Sequence, residues 1–557
     1  MSAHERKVIF ASSLGTVFEW YDFFVFALLY PFIANEFFAS SPPTARNIFA
    51  LLVFAAGYIV RPFGAIVFGR IGDLVGRKYT FLVTIGMMGL STFLVGLLPG
   101  SNSIGIAAPI LLLVLRMLQG LAVGGEYGGA ATYVAEHAPA GRRGFYTSWI
   151  QLTATAGLFL TLIVIVVTRD LVGEAAFGAG GMWRITFLLS IILLVISLWI
   201  RFQLNESPAF LQMKADGEGS SSPIRDAFGN WPNLKIGLIA LFGLTAGQGV
   251  VWYASQFYIY AFMQISLHVS YLTAVNIMAW ALVAAAPFFV VFGWLSDKIG
   301  RKPIILTGCL LAALLYFPVF GMIAKVANPA LAKAVAGQHY TVTADTADCT
   351  SLFDPVGTKV FTHSCDIARR ELGLAGAPYD LVAGTPGSPA NLTIGATRIN
   401  AYDASKLDAA AQKTVPAAFQ QSVAGALRKA GFPANNDAGI VKMASLVDFN
   451  PQAVELILLV FALVLLATMV YGPIGATLVE FFPTRIRYSG MSLPYNIGNG
   501  VFGGLLPAAA VALVAASGDI FRGLWYPVII AGSTFVIGLL FVPETKDRDI
   551  YDNNPYN

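Results

Sequence analysis

The sequence predicts an all-α polytopic membrane protein: twelve transmembrane helices in two six-helix bundles, with a small external α+β insert between the ninth and tenth helices. Three observations predict this fold. Of the 557 residues, 56% are hydrophobic and 12% are charged, whereas soluble domains carry about 25% charged residues. A short charged motif occurs twice, between long apolar segments. One long polar stretch interrupts the apolar pattern of the second half.

The charged motif reads G-x-x-x-D-x-x-G-R-K at residues 69–78 and again at residues 293–302. The second copy begins 224 positions after the first, at residue 293 against residue 69. Internal repeats of this kind are common in secondary transporters. The repeat therefore predicts that the chain is two copies of one helical bundle.

Twelve apolar segments are long enough to cross a hydrocarbon core of ~30 Å, which takes about 20 residues. They are residues 9–33, 47–69, 79–99, 106–133, 146–168, 183–204, 234–263, 270–294, 303–325, 453–479, 488–516 and 523–543. The predicted units are an N-terminal bundle (1–204), a cytoplasmic linker (205–233), spans seven to nine (234–325), the insert (326–451), spans ten to twelve (452–543) and a tail (544–557).

Lysine and arginine are concentrated in alternate short loops. The N-terminus, both copies of the charged motif and the loops near residues 142 and 485 are basic, whereas the intervening short loops carry few Lys or Arg. Because basic loops stay in the cytoplasm, we expect both termini inside and residues 326–451 outside.

A second repeated pattern locates the insertion. Glu136-x-x-Pro139 ends the fourth span and Glu480-x-x-Pro483 ends the tenth, 344 positions later. This offset exceeds that of the charged motif, so the second half gains its extra residues within 326–451. Cys349 and Cys365 in this stretch are expected to form a disulfide, worth ~3 kcal/mol for a loop of this size. The alternative is two free thiols in a flexible linker.

Two carboxylates lie in the first span, where an ionised group is costly. Glu19 and Asp22 are three residues apart and share one helical face. Two adjacent carboxylates in low dielectric cannot both ionise cheaply, so at least one of them should readily hold a proton. A proton carrier needs a carboxylate of this kind. The alternative is a permanent ion pair of Glu19 with a basic residue such as Arg116, which would only hold helices together.

The fourth span carries a second polar cluster. Arg116, Gln119 and Tyr127 fall on one helical face, and Glu126 shares a face with Gln119 as a third candidate for proton coupling. The planar guanidinium of Arg116 suits a carboxylate, so Arg116 and Gln119 are predicted to bind substrate. The alternative for Arg116 is a structural salt bridge with a carboxylate of the first span.

Charged residues in the predicted cytoplasmic loops form a third group. They are expected to make inter-helix and inter-half ion pairs that close a gate, without contacting substrate. The gating candidates are Asp73, Arg77, Asp297, Arg301, Glu136, Arg142, Glu480, Arg485 and Arg487.

The duplicated motif resembles the loop motif of the major facilitator superfamily. Residues 19–23 (EWYDF), 61–64 (RPFG), 119–128 and 482–488 (FPTRIRY) are similar to its metabolite:proton symporter branch. The resemblance implies the major facilitator fold and a bacterial inner-membrane protein that imports an organic acid or a zwitterion together with protons. It implies no cofactor.

The predicted function is proton-coupled uptake of a small carboxylate by alternating access. A zwitterionic osmolyte such as proline or glycine betaine is the alternative, because aromatic side chains can cage a quaternary ammonium. The aromatic candidates for substrate contact are Tyr21, Tyr127, Trp252 and Tyr253. A further alternative is a transporter-like sensor whose external insert binds a ligand.

The expected partners are a small-molecule substrate, protons and the lipid bilayer. No nucleophile–base pair and no metal-ligand spacing is present, so neither an enzyme nor a metal or cofactor site is predicted. The absence of a basic run argues against nucleic-acid binding. Whether the insert binds a protein partner is left open.

Overall fold

The computed structural model describes residues 3–39, 43–202, 211, 214–215, 223–337, 340–352, 359–408, 410–433 and 439–550. The predicted linker 205–233 lies mostly outside them. Within these ranges, ten helices are long and apolar enough to cross a membrane, and the bent pair Thr16–Leu28 and Tyr30–Phe37 makes eleven. The sixth predicted segment holds a shorter apolar helix, Arg184–Ile200.

The helices follow the twelve predicted segments. We number them as spans one to twelve: Ala3–Leu28 with Tyr30–Phe37; Pro43–Ile59 with Arg61–Leu74; Arg77–Leu97; Ala107–His137; Arg143–Val172; Arg184–Leu188 with Ser190–Phe202; Trp231–Ser266; Tyr271–Ile299; Arg301–Ala327; Pro451–Tyr471 with Ile474–Phe481; Arg487–Asn496, Ile497–Gly503 and Leu506–Ser517; and Trp525–Phe541. Spans one to six are the N-terminal half, and spans seven to twelve are the C-terminal half.

Prolines mark several breaks in the spans, because proline cannot donate a backbone hydrogen bond. The first span bends by 60° between Leu28 and Tyr30, just before Pro31. The second is interrupted at Val60, before Pro62. The tenth is interrupted at Pro473.

The repeated charged motif has the same backbone shape in both copies. Its second glycine is Gly76 in the first copy and Gly300 in the second, with φ of 137° and 109°. Residues that carry a Cβ atom are strained at such positive φ values, so the motif needs glycine there. Each glycine immediately precedes the helix of the next span. We call the end of the bundle that carries both motif loops the charged-loop end.

The two halves pack together through pairs of spans. The second span lies against the eleventh, and the fifth lies against the eighth. These contacts include several glycines at close approach; the Cα of Gly69, for instance, faces the backbone of Ser489 in the other half. Small residues let helices approach closely in a membrane, where packing rather than hydrophobic burial drives association.

The insert lies between the ninth and tenth spans and contains a four-stranded sheet. The strands are β1 (Tyr340–Ala344), β2 (Tyr379–Ala383), β3 (Asn391–Ile394) and β4 (Thr397–Asn400), in the order β2-β1-β3-β4. β1 pairs parallel with β2 and antiparallel with β3, and β3 pairs antiparallel with β4. Burial alternates along β1, as expected for a strand with one covered face. Helices Ser364–Leu374 and Ala411–Lys429 complete the insert.

The insert is bonded to the C-terminal half at the end of the bundle opposite the charged loops, which we call the insert end. The Tyr379 hydroxyl donates to the carbonyl of Ala516 at 3.2 Å. The Val441 amide donates to the carbonyl of Ala327 at 2.9 Å, and the Trp280 indole donates to the carbonyl of Leu446 at 2.7 Å. Spans eight, nine and eleven therefore hold the insert.

A disulfide joins Cys349 to Cys365, whose Cα atoms are 5.3 Å apart. It links the chain after β1 to helix Ser364–Leu374. Nearby, the amides of Gly387 and Ala347 donate to Asp345 at 2.8 and 3.0 Å and lower the pKa of this exposed carboxyl. The third cysteine, Cys309, is a free thiol buried in the ninth span.

The disulfide predicts a specific thiol count. Denatured protein kept under non-reducing conditions should label with maleimide at one cysteine, Cys309, and at three after reduction, as counted by mass spectrometry. The Cys309→Ser variant is the control and should label at none before reduction. Three labels on non-reduced wild-type protein would contradict the disulfide.

Candidate functional site

At the charged-loop end, each motif aspartate binds the start of a helix in the other half. Both carboxylate oxygens of Asp297 accept backbone hydrogen bonds, from Gly144 at 2.9 Å and Phe145 at 2.8 Å, at the start of the fifth span. Asp73 accepts from the amide and the hydroxyl of Ser489 at 3.0 and 2.7 Å, at the start of the eleventh. A carboxylate at a helix N-terminus satisfies amides that the helix leaves unpaired.

Two ion pairs cross between the halves beside these aspartates. Arg487 Nη1 lies 2.7 Å from Glu136 Oε1, and Arg143 Nη1 lies 3.7 Å from Glu480 Oε1. Glu480 follows Glu136, and Arg487 follows Arg143, by the same 344 positions that locate the insertion. The two pairs are therefore related by the internal repeat.

Arg301 completes this cluster within the C-terminal half. Its guanidinium lies 2.8 Å from Asp297 and 3.0 Å from Glu480, and its side chain is 1% exposed. Removing one partner from such a buried pair typically costs about 3–5 kcal/mol because it leaves the other charge uncompensated. The cluster thus stabilises the packing of the C-terminal half at the charged-loop end.

Two of the predicted gating arginines are placed differently by the structure. Arg142 and Arg485 are both exposed, and the neighbouring Arg143 and Arg487 form the ion pairs instead. Arg142 precedes the first helical residue of the fifth span, and Arg485 lies in a separate turn before the eleventh, so their side chains project away from the interface. The side chain of Arg77 lies outside the described residues.

Of the two adjacent arginines in this loop, the sequence analysis selected Arg142 as the gating candidate, although a signal that favours Arg143 was present. The 344-residue offset that matches Glu136 to Glu480 also matches Arg143 to Arg487. Applying the repeat to the arginines would have selected the correct member of the Arg142–Arg143 pair.

In the middle of the bundle, aromatic side chains fill the contact between the halves. Trp20 of the first span lies 5.6 Å from Trp252 of the seventh, measured between ring centroids. Tyr58 and Tyr253 lie 5.6 Å apart. Tyr127 stacks on Tyr495 of the eleventh span at 3.7 Å. Among the predicted aromatic contacts, Trp252, Tyr253 and Tyr127 therefore lie at the inter-half interface.

Tyr21, in contrast, faces the interior of the N-terminal half. Its hydroxyl donates to the backbone carbonyl of Thr186 in the sixth span at 2.5 Å, and the side chain is fully buried. This geometry does not fit the predicted role in an aromatic cage for substrate.

A chain of hydrogen bonds links the third and fourth spans beside Asp22. The Arg116 guanidinium donates to Gln119 Oε1, and Gln119 Nε2 donates to the Thr92 hydroxyl at 2.8 Å. The Thr92 hydroxyl in turn donates to the backbone carbonyl of Met88 at 3.1 Å. Asp22 and Arg116 are 6% and 2% exposed. Among the described residues, the two predicted functional groups therefore form no direct ion pair, and Asp22 Oδ1 has no hydrogen-bond partner.

Two guanidinium groups share one aromatic ring near this chain. Arg61 Cζ lies 5.1 Å and Arg116 Cζ lies 5.7 Å from the centroid of Phe23. Arg61 also lies 4.3 Å from the ring centroid of Tyr58, which packs against Tyr253 of the other half. Within the described residues, neither guanidinium forms an ion pair, and the Nε atom of each lacks a hydrogen-bond partner.

The remaining predicted groups are less informative. Glu19 is 8% exposed, and the side chain of Glu126 lies outside the described residues. Arg184 bonds to Glu36 at 3.0 Å and to the carbonyl of Leu98 at 2.5 Å, at the insert end. Among the described residues, no cluster of His, Cys, Asp or Glu could hold a metal ion.

Comparisons with known proteins agree with this architecture. A family model described as "Sugar (and other) transporter" matches residues 7–235. The proline/betaine transporter of Escherichia coli (strain K12) is 36% identical over 328 residues, 57% of this chain, and the chain spans 65% of that relative's length. The alpha-ketoglutarate permease of the same strain is 37% identical over 331 residues, 59% of this chain and 75% of that protein.

A solved structure of the proton:xylose symporter XylE bound to 6-bromo-6-deoxy-D-glucose has a TM-score of 0.56, covering 99% of this chain and 98% of that chain. At 16% identity this likeness establishes the fold alone. Fold and matches together define a multi-pass membrane transporter, not an enzyme. The chain belongs to the major facilitator superfamily and, within it, to the metabolite transporters.

The inter-half bonds of Asp73 predict a shift in conformation when they are weakened. Asp73→Asn replaces two charge-assisted bonds with weaker ones. If the two weakened bonds together lose about 1.4 kcal/mol, the equilibrium between the closed and open forms of the charged-loop end should shift about tenfold towards the open form. Spin labels at Arg142→Cys and Arg485→Cys, exposed in opposite halves and placed in a Cys309→Ser background, should then report longer distances.

The matched control is Asp170→Asn, which neutralises an exposed carboxylate of the N-terminal half at the insert end. It should leave the distance distribution unchanged. An unchanged distribution in Asp73→Asn as well would contradict a gating role for the motif aspartate.

Proposed function

We propose that this transporter couples the uptake of a small carboxylate to protons by alternating access. The observation that carries the proposal is the buried group formed by Arg61, Arg116 and Asp22. The two guanidiniums share the ring of Phe23, and neither has an ion-pair partner in the described part of the chain. Oδ1 of the Asp22 carboxylate has no hydrogen-bond partner there. Buried ionisable groups of this kind within spans are costly and mark transport sites.

An anion suits the two arginines. Arg61 and Arg116 stand over the same ring, so their like charges repel in a low-dielectric site, and a carboxylate between them would relieve that repulsion. A guanidinium presents a planar set of donors that binds a carboxylate bidentately. Arg61 lies over the ring of Tyr58, which packs against Tyr253 of the other half, so a substrate bound at Arg61 would lie close to both halves.

The relatives support the same chemical group. The names of the similar proteins mention proline and betaine, alpha-ketoglutarate, and shikimate. All of these compounds carry a carboxylate, although their other groups differ. The carboxylate is therefore the substrate feature that we assign to Arg61 and Arg116.

A zwitterionic osmolyte is the second candidate, on a separate observation. The indole rings of Trp20 and Trp252 meet at the inter-half interface, 5.6 Å apart, and the ring of Tyr253 lies 4.9 Å from that of Trp252. Aromatic faces attract a quaternary ammonium. Such a substrate would place its carboxylate on the arginines and its cation against these rings.

Asp22 is the proposed proton carrier. An ionised carboxylate would leave Oδ1 without a donor, whereas the neutral acid is far cheaper to bury. Glu19 and Glu126 remain further candidates for proton coupling. In this scheme, the charged-loop end described above is the closed cytoplasmic gate.

We further propose that the protein lies in the bacterial inner membrane, with both termini in the cytoplasm and residues 326–451 in the periplasm. The distribution of Lys and Arg among the short loops supports this orientation. The disulfide of the insert supports it as well, because disulfides persist in oxidising compartments.

Uptake into proteoliposomes tests the function. With labelled mono-, di- and tricarboxylates beside proline and glycine betaine, we expect saturable carboxylate accumulation that is driven by an inward proton gradient and abolished by a protonophore. Asp22→Asn should abolish accumulation but retain counterflow, because exchange requires no net proton movement. Accumulation of the zwitterions alone would favour the second candidate. Accumulation of any substrate that ignores the proton gradient would contradict the proposed coupling.

The arginines make a separate prediction. Arg61→Lys and Arg116→Lys keep the positive charge but lose the planar pair of donors. Each should raise the KM for the carboxylate about tenfold or more, because the free energy lost is that of one hydrogen bond to a charged group. Arg169→Lys, at an exposed position of the insert end, is the control and should leave KM unchanged. An unchanged KM in both buried variants would rule out the arginines as the carboxylate site.

A further inference from the structure

A short apolar segment, residues 443–449, leads from the insert into the tenth span. Its side chains Leu446, Val447 and Phe449 are all exposed. We propose that this segment lies in the bilayer, at the boundary between the headgroups and the acyl chains of the lipids at the insert end. It thereby anchors the insert to the membrane. This role is separate from substrate binding and from proton coupling.

Three hydrogen bonds hold the 443–449 segment along one face of the eighth span. The amide of Met443 donates to the Thr273 hydroxyl at 3.1 Å, and its carbonyl accepts from Asn276 Nδ2 at 3.0 Å. The carbonyl of Leu446 accepts from the Trp280 indole at 2.7 Å. Thr273 and Trp280 are seven positions apart, about 10 Å along a helix. The segment therefore extends along the span, away from the insert end.

The length of the eighth span places this contact within the membrane. The span has 29 residues, whereas about 20 residues cross the hydrocarbon core. Counted back from Gly293, where the charged motif begins, about 20 residues end near Thr273. Trp280 lies about two helical turns further in. Tryptophan is enriched at membrane interfaces, and the ring of Phe449 packs 5.3 Å from that of Trp280.

The exposed apolar surface of the 443–449 segment continues onto the neighbouring spans. Val454 and Leu458 are exposed in the first turns of the tenth span. Val283 is exposed in the eighth span, one turn beyond Trp280 on the same face. Exposed apolar side chains of membrane spans lie against acyl chains, which are as apolar as they are. This continuity makes lipid the occupant of the segment's exposed face.

The backbone and the charges of the segment suit a shallow position. The Ala444 amide donates to the Asp448 carboxylate at 2.9 Å, and the Asp448 amide donates to the carbonyl of Ser445 at 3.2 Å. Such internal bonds are needed where lipid replaces water. Lys442 and Asp448 are exposed, and charged side chains are costly in the hydrocarbon core. The segment therefore lies at the interface rather than deep in the core.

Spin labels test this position. In a Cys309→Ser background, a label at Val447→Cys is compared with one at Val360→Cys in the insert. The two valines are exposed to a similar extent, 78% and 81%. Leu458→Cys on the tenth span is the reference for a lipid-facing site. Power-saturation EPR in reconstituted vesicles measures collisions of each label with oxygen, which concentrates in lipid, and with a nickel chelate, which stays in water.

We expect the label at Val447→Cys to behave like that at Leu458→Cys. Its ratio of oxygen collisions to chelate collisions should be several times that at Val360→Cys. Water over the segment would instead give the same ratio at both valines. A protein partner or a second copy of the chain would lower collisions with both reagents. Either result would overturn the proposal. If Val447→Cys is not recovered as folded protein, Leu446→Cys carries the same measurement.

A charged substitution tests whether the apolar side chains hold the segment in the lipid. With the label at Leu446→Cys, Phe449→Asp places a charge on the proposed lipid-facing surface and should raise chelate collisions several-fold. The matched control is Val360→Asp, which adds the same charge elsewhere on the insert and should leave the collisions unchanged. Unchanged collisions in Phe449→Asp would contradict the anchoring role of these side chains.

Discussion

The structure depends on how buried charges are neutralised where no water is present. At the charged-loop end, Glu136, Arg487, Arg143 and Glu480 find their opposite charges across the interface of the halves. The C-terminal half by itself pairs Glu480 with Arg301, but Arg487 pairs with Glu136 across the interface, and a lone buried charge is strongly unfavourable. The closed arrangement is therefore the one in which the charges are paired. Opening this end requires water to replace each partner, so opening and hydration must occur together.

The centre of the bundle follows the opposite principle. Asp22, Arg61 and Arg116 are as deeply buried as the gate charges, but within the described residues none of them forms an ion pair, and each has a polar atom without a hydrogen-bond partner. A fold selected for stability alone would have paired or removed these groups. In the proposed mechanism, the missing partners are a proton for Asp22 and a carboxylate for the arginines. Because each ligand removes part of the same electrostatic cost, the binding of one makes the other more favourable.

Most of the fold could be predicted from the sequence, because apolar segment length and an internal repeat are strong signals. The repeat also aligned Gly76 with Gly300 and Glu136 with Glu480. It failed at Arg142, since the choice between adjacent arginines depends on where the helix begins. Thr92 gave no usable signal: a hydroxyl in an apolar helix usually bonds to its own backbone. Its hydrogen bond with Gln119 arises only from the packing of the third span against the fourth.

The two ends of the bundle differ in what an opening movement must break. Among the described residues, the hydrogen bonds and ion pairs that join the halves extend from the charged-loop end to about the middle, where Asn496 donates to the carbonyl of Gly124 at 2.8 Å. Towards the insert end, the contacts are aromatic, such as Phe24 with Phe257. The insert is bonded to spans of the C-terminal half, so it moves with that half. Separation at the insert end therefore exposes mainly apolar surface and sacrifices few polar bonds, whereas separation at the other end must first hydrate a network of charges.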